Sequence, residues 1–366
     1  MNEFLDKEEC CGCEACYNVC PASAIKMEQD REGFFYPKIN QEKCISCKKC
    51  EVVCPVINRK LHQDEQQRAY ACYNKDESIR AQSTSGGIFS VIAEYFIKNK
   101  QGIVYGAAFD KDFNVVCERT DTEDGLEAFR GSKYVQSRLE YTYREIEQLL
   151  LEKKYVLFSG MPCQIEALKS FLGREYQNLF TMDMVCFGIG SPLLWQHYLC
   201  EFHDKEKIEK FVFKDKKEGW KHWKIKVVEA GKETYYERKD NLYMNSYLKK
   251  VNIRPSCFNC KFKGLDRKSD VTIADCWGIG EENQKLNDDR GLSALLVHTN
   301  KAQKLFEAIK DKVRYEEYEP SELMEGNWAT TCTVEKNNLR KRFFDELITG
   351  EFKIVFSEYF GEQKGK

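Results

Sequence analysis

Cys10, Cys13, Cys16 and Cys20 stand in the spacing CxxCxxCxxxC with Pro21 behind them. Cys44, Cys47, Cys50 and Cys54 repeat that spacing with Pro55 behind. Three closely spaced thiolates can wrap three irons of one 4Fe–4S cubane, and the fourth cysteine, set off by three residues and a proline, points away to a second cluster. The repeat, about 34 residues long, therefore assigns Cys10, Cys13, Cys16 and Cys54 to one cluster and Cys44, Cys47, Cys50 and Cys20 to the other. Structural zinc is the bland alternative, but it needs two cysteine pairs at one tetrahedral centre, not two runs of four with trailing prolines. Cys11 fits neither run and reads as a spare thiol beside the site.

Four more cysteines stand where chemistry is often placed. Cys257 and Cys260 form a CxxC in RPSCFNCKFKG, Cys163 follows a strand in SGMPCQI, and Cys186 ends a strand in DMVCFGIGSP. Four thiolates are what a further cubane needs, so these could converge on one; from spacing alone, buried structural cysteines explain them equally well. Cys163 also admits a nucleophile reading, because a helix N-terminus lowers a thiol pKa, but none of the five histidines sits in a recognisable dyad motif. STSGGIFS (Ser83–Ser90) places two glycines and hydroxyls before a helix, where free N–H groups can hold a phosphate or simply cap the turn. GSKYVQS (Gly131–Ser137) offers lysine, tyrosine and serines in one loop. There is no GxxxxGK[ST] and no completed GxGxxG, so neither a P-loop nor a Rossmann fingerprint is present.

The elements that must position these residues follow from hydrophobic periodicity. Tyr70–Asn74, Ile103–Phe109, Tyr155–Gly160 and Leu179–Phe187 read as strands. Ile88–Asn99, Gln164–Leu172 and Pro192–Phe202 read as helices, and Asn337–Thr349 as a helical tail. Phe211–Phe213, Lys224–Val228 and Glu233–Glu237 read as an antiparallel meander. The fold expected is α+β: a bacterial-ferredoxin-like module followed by a mixed α/β domain with partly antiparallel sheet. The polar stretch Lys60–Arg68 reads as the linker between them.

Composition excludes several classes. The chain has 366 residues, 57 Lys+Arg against 59 Asp+Glu, and no apolar run long enough to span a bilayer. The basic, aromatic stretch Lys205–Lys226 reads as a hairpin with a solvated basic face rather than a nucleic-acid stripe. The start lacks the pattern of a secretory signal. Eighteen cysteines in such a chain are metal or redox residues rather than a disulfide framework, and a cytoplasmic location is expected.

Taken together, the ferredoxin runs, STSGG, FRGSKYVQS, SGMPCQ, CFGIGSP, FKDKKEGW, RPSCFNCKFKG, SDVTIADCWG and DDRGLS resemble the coenzyme F420 hydrogenase/dehydrogenase beta-subunit family, over nearly the whole chain from about Cys10 to about Phe306. The resemblance implies an iron–sulfur flavoprotein with FAD beside a 4Fe–4S cluster. It makes Cys163, Cys186, Cys257 and Cys260 the ligands of a third cluster, and Ser83, Ser85, Gly86, Gly87, Lys133, Tyr134 and Ser137 the FAD contacts. It divides the chain into a two-cluster ferredoxin domain (1–60), an N-terminal FAD-binding region (68–145), a C-terminal FAD/4Fe–4S region (150–330) and a helical tail (331–366).

Two departures stand out: Phe187 occupies the place of the family's usual histidine, and Cys276 replaces a usual non-cysteine residue, as substitute ligand or core. The implied activity is an FAD-linked oxidoreductase moving electrons between ferredoxin-type clusters and coenzyme F420 or another small organic substrate, with ferredoxin or a partner redox subunit at the N-terminal module. An electron-transfer subunit with no substrate of its own is the alternative.

Overall fold

A computed structural model describes residues 5–59, 67–277, 279 and 286–361. Most of the expected linker, residues 60–66, lies outside the described residues. In chain order the strands are β1 (Ile25–Gln29), β2 (Phe35–Ile39), β3 (Arg68–Asn74), β4 (Ile103–Phe109), β5 (Val115–Thr120), β6 (Val156–Ser159) and β7 (Leu179–Met184). They continue with β8 (Ile208–Asp215), β9 (Lys224–Glu229), β10 (Lys232–Tyr236), β11 (Val271–Asp275), β12 (Ser293–Val297) and β13 (Val313–Tyr318).

The architecture is mixed α and β, as the sequence predicts. β1 and β2 form the hairpin of the ferredoxin-like segment, and β8, β9 and β10 form the expected antiparallel meander. An eight-stranded sheet runs in the order β13-β3-β12-β11-β7-β6-β4-β5, drawing strands from both regions expected to bind the flavin. At its centre β4, β6, β7 and β11 are parallel neighbours; antiparallel strands flank them on both sides. Parallel strands need both faces covered, and β6, VLFS, is buried at all four positions. The helix Pro192–Phe202 shows how local sequence sets an element. Ser191 Oγ accepts from the Leu194 N–H at 3.2 Å, Pro192 opens the first turn, and Leu194, Trp195, Tyr198 and Leu199 make the buried stripe.

Two expectations shift. β7 stops at Met184 rather than Phe187: Val185 still donates to the Ile273 carbonyl at 3.2 Å, after which the chain turns and carries Cys186 and Phe187 into a cavity wall. The tail holds two helices, Leu339–Thr349 and Phe352–Phe360; Phe343, Phe356 and Phe360 enter the same apolar core as Trp195.

The ferredoxin-like segment is pinned to the rest of the chain by polar groups as well as by packing. Arg340 makes a two-pronged ion pair with Glu32 in the β1–β2 turn, with the arginine side chain 5% exposed. Tyr143 donates to the Cys13 carbonyl at 3.0 Å and Arg144 Nη2 to the Cys20 carbonyl at 2.9 Å. Both Glu14 carboxylate oxygens accept from Leu139 and Glu140 N–H groups. Among the described residues, no helix is long and apolar enough to cross a membrane.

Candidate iron–sulfur and flavin site

Cys10, Cys13, Cys16 and Cys54, the first expected ligand set, line one cavity together with Cys11, Gly12 and Tyr36. Cys13, Cys16 and Cys54 are buried, and the crossed connection from the fourth cysteine of the second run is realised in this lining. The other expected set differs in setting: Cys47 is exposed, and Cys20, Cys44 and Cys50 are partly so.

Cys163, Cys186, Cys257 and Cys260 also come together, around a separate cavity, and Cys11 is in its wall. Fold topology explains the convergence. Cys163 and Cys186 follow the carboxyl ends of the adjacent parallel strands β6 and β7, where open α/β sheets place their ligands. Gln164 Oε1 accepts from the Met161 N–H at 2.8 Å and Pro162 opens the helix Pro162–Leu172, so Cys163 sits in its first turn. The short 3-10 turn Pro255–Asn259 holds Cys257 and sets Cys260 at its end. Lys263 donates to the Cys186 and Ala329 carbonyls, closing the loop between them.

The third cavity is the largest, about 420 Å³, within the range of about 300–1,000 Å³ common for small-molecule and cofactor sites. It lies along the carboxyl edge of the parallel strands. Of the residues expected to contact FAD, Ser83, Ser85, Gly87, Lys133, Tyr134 and Ser137 line it. Gly86 does not. Its N–H donates to Ser293 Oγ at 2.9 Å, and a Cβ there would come within 2.6 Å of the Cys72 carbonyl, so its place is the contact between this loop and the sheet. The hydroxyl protons of Ser83 and Ser85 go to the Ile79 and Leu292 carbonyls, leaving oxygen lone pairs toward the cavity side. Lys133 donates to the carbonyls of Arg130 and Gly131, both at 3.2 Å, and burial pulls its pKa down to about 7.

These sites fit the groups the sequence implies. Among the described residues, no three His, Cys, Asp or Glu side chains converge closely enough for a single metal ion; the thiols stand around a shared space, as cubane ligands do, rather than meeting at a point. Burial raises the thiols, Cys54 and Cys186 to about 11 and Cys16 well above the ordinary range. Such thiols become ligands when a metal's charge replaces their protons. The buried Tyr36 hydroxyl has no hydrogen-bond partner in the chain and belongs to a residue lining the Cys10 cavity, where cluster sulfur would be an acceptor. For a flavin, the large cavity supplies a buried cation, hydroxyl oxygens, and an aromatic wall of Phe187, Tyr247, Trp277 and Trp328.

Sequence reasoning missed three parts of this site. Cys11 lines all three cavities and packs, with Cys163 and Cys260, against the small apolar cluster of Cys54, Val56 and Phe262; its adjacency to Cys10 was the only signal. Phe187 stacks toward Tyr247 and Trp328 at 5.4 and 5.5 Å between ring centres, so the residue that replaces the family histidine extends the aromatic wall. Arg254 opens the RPSCFNC motif and carries no signal of its own. Cys276 is fully buried among Trp220, Leu292 and Ala294, which is core. The lysines of 205–226 are largely committed within the chain: Lys214 pairs with Asp275 at 2.7 Å, Lys224 with Glu218 and Glu237, and Lys226 with Glu233.

Two groups of cysteines that build iron–sulfur sites, joined to a sheet-edge cavity, define a redox protein. Residues 9–58 match the 4Fe-4S dicluster domain, and residues 153–322 match the family described as the C terminus of the coenzyme F420 hydrogenase/dehydrogenase beta subunit. The chain thus carries an iron–sulfur dicluster domain ahead of a region belonging to that oxidoreductase family. Among solved structures it is similar to a chain of the xenon-derivatised F420-reducing nickel–iron hydrogenase complex from Methanosarcina barkeri. The identity is 16% and the TM-score 0.48, with 84% of this chain and 97% of that one covered. No curated protein matches the chain.

Proposed function

We propose that the protein is an iron–sulfur flavoprotein oxidoreductase that moves electrons between ferredoxin-type 4Fe–4S clusters and FAD, with hydride transfer to or from coenzyme F420 or another small organic substrate. The observation that carries this reading is the shared wall at Cys11. The Cys10 cavity, the Cys163 cavity and the 420 Å³ cavity all include it, so the three form one continuous series. When bound, the clusters supply one-electron transfer and the flavin converts between one- and two-electron chemistry.

The chain's own residues do the rest. Cys163, Cys186, Cys257 and Cys260 are the proposed ligands of a third cluster. Lys133 offers a proton-bearing cation to the flavin, and Ser83, Ser85, Gly87, Tyr134 and Ser137 hold and orient it. Phe187, Tyr247 and Trp328 keep water from the face where a planar substrate would lie. The exposed second run is the port for a ferredoxin or a partner redox subunit.

The test is anaerobic. Protein supplied with reduced ferredoxin is expected to bleach its flavin absorbance and then reduce coenzyme F420 or another small acceptor. Bleaching with no acceptor reduced across a panel of organic substrates favours the second reading, a relay subunit inside a larger complex. The absence of bleaching contradicts both.

A further inference from the structure

Arg254 is completely buried, 0% exposed, yet has no carboxylate partner among the described residues. Its Nε donates to the Cys10 carbonyl at 2.8 Å, its Nη1 to Gln136 Oε1 at 3.1 Å, and its Nη2 reaches Cys10 Sγ at 3.8 Å. The guanidinium carbon lies 4.0 Å from the Tyr36 ring centre. A buried cation without a counter-charge is costly, and the fold takes trouble to keep this one. Gly12, at φ +66°, leaves room for it, since a Cβ there would come within 2.8 Å of Arg254 Nη1. The thiolate side of the Cys10 site is the anionic chemistry that faces the guanidinium, and a cubane with four thiolates carries net negative charge that becomes more negative on reduction. Beside it, Gln136 Nε2 is buried with no partner. The corresponding lysines of the second run, Lys48 and Lys49, are exposed to water, where their charge is screened.

We infer that Arg254 is the buried counter-charge of the cluster held by Cys10, Cys13, Cys16 and Cys54, and that it makes this cluster easier to reduce than its repeat partner at Cys44, Cys47, Cys50 and Cys20. Reduction adds one electron to that cluster and no proton, and the arginine stays charged throughout. Arg254 is thus a positioning and tuning residue, which biases the electron toward the buried end of the dicluster domain. The inference rests on the clusters being present as proposed above.

The experiment is a mediated potentiometric titration of the full-length protein, followed by electron paramagnetic resonance, with iron counted on each sample. The wave of the Cys10 cluster is identified as the one that Cys16→Ser displaces or deletes. Arg254→Gln, at unchanged iron content, is expected to lower the reduced-to-oxidised ratio of that wave at least tenfold at fixed potential, about 59 mV for one electron. Arg254→Lys is expected to restore most of the shift. Gln136→Glu keeps Arg254 in place but supplies a carboxylate, and is expected to move the wave in the same direction as Arg254→Gln, so the test survives if Arg254→Gln does not fold. An unmoved wave in Gln136→Glu, or equal behaviour of Arg254→Lys and Arg254→Gln, overturns the inference. A wild-type protein that binds no iron at the Cys10 site overturns the functional reading instead.

Discussion

The two cysteine runs have the same spacing and opposite surroundings. Cys13 and Cys16 of the first run are buried, and that run is pinned by Arg254, Tyr143 and Arg144 from other parts of the chain. In the second run, Cys47 is exposed, and Ile45 and Val52 beside it are 66% and 71% exposed. Cluster-binding capacity is a local property, set by how far apart thiols fall along a short loop. Solvent contact and nearby charge are not local, and those tune reduction potential. A repeat can therefore supply two similar clusters, while the rest of the fold makes one an interior station and leaves the other as a port.

The comparison can be broken most directly at the ligands. Cys13→Ala and Cys47→Ala are each expected to cost about four irons per chain, measured by iron assay. Only Cys13→Ala should also destabilise the iron-free protein, by about 1–2 kcal/mol, against less than about 0.5 for the exposed position. Equal thermal shifts for the two would mean that the runs are not differently embedded.

Next in size is the attachment of the buried run. Arg340→Leu strands Glu32 in a mostly buried setting and should cost about 3–5 kcal/mol, read from urea denaturation. Arg342→Ala, which removes an exposed pair with Glu346, should cost under about 1 kcal/mol. A similar cost for both would remove the argument that burial, rather than charge pairing as such, holds the module.

At the exposed run, Val52→Asp should leave iron content unchanged while slowing reduction by reduced ferredoxin roughly tenfold in stopped-flow, because a charge placed in a partner's apolar contact opposes docking. An unchanged rate would place the port elsewhere.

The smallest effect is at Lys133. Its folded pKa, about 7, lies below the unfolded value, so the folded protein binds fewer protons than the unfolded chain above about pH 7. Below that pH the ammonium is present to meet an anionic ligand; above it, binding must first restore the proton. FAD affinity is expected to fall as pH rises through 7, by up to about tenfold per unit for one linked proton. Lys133→Met should flatten the profile, measured by fluorescence titration.

The eight cysteines of the runs were legible because their information is a spacing within one short loop. The helix Pro192–Phe202 and the meander were legible for a similar reason, since capping and periodicity are local. The convergence of Cys163, Cys186, Cys257 and Cys260 was not: it depends on β6 and β7 being parallel neighbours, with Ser159 opposite Met182, and spacing along the chain does not specify register. β13 escaped notice because VRYEEY is an edge strand with few buried positions. Phe352–Phe360 escaped because its stripe is recognisable only once the core of Trp195 and Phe211 is known to need covering. Gly86 was legible as part of a loop signature, but the signature did not distinguish a residue that touches the cavity from one that lets the loop touch the sheet. Arg254 was invisible for a different reason: a single arginine declares nothing until burial removes its counter-charges.

The central claim is that three cysteine sites and one flavin cavity form a continuous series through the chain. It is tested most directly by the iron and flavin content of protein purified without oxygen, together with its visible spectrum. The account predicts about twelve irons and one FAD per chain. About eight irons without flavin would contradict it, leaving a two-cluster carrier and a Cys163 cavity that holds neither metal nor electrons.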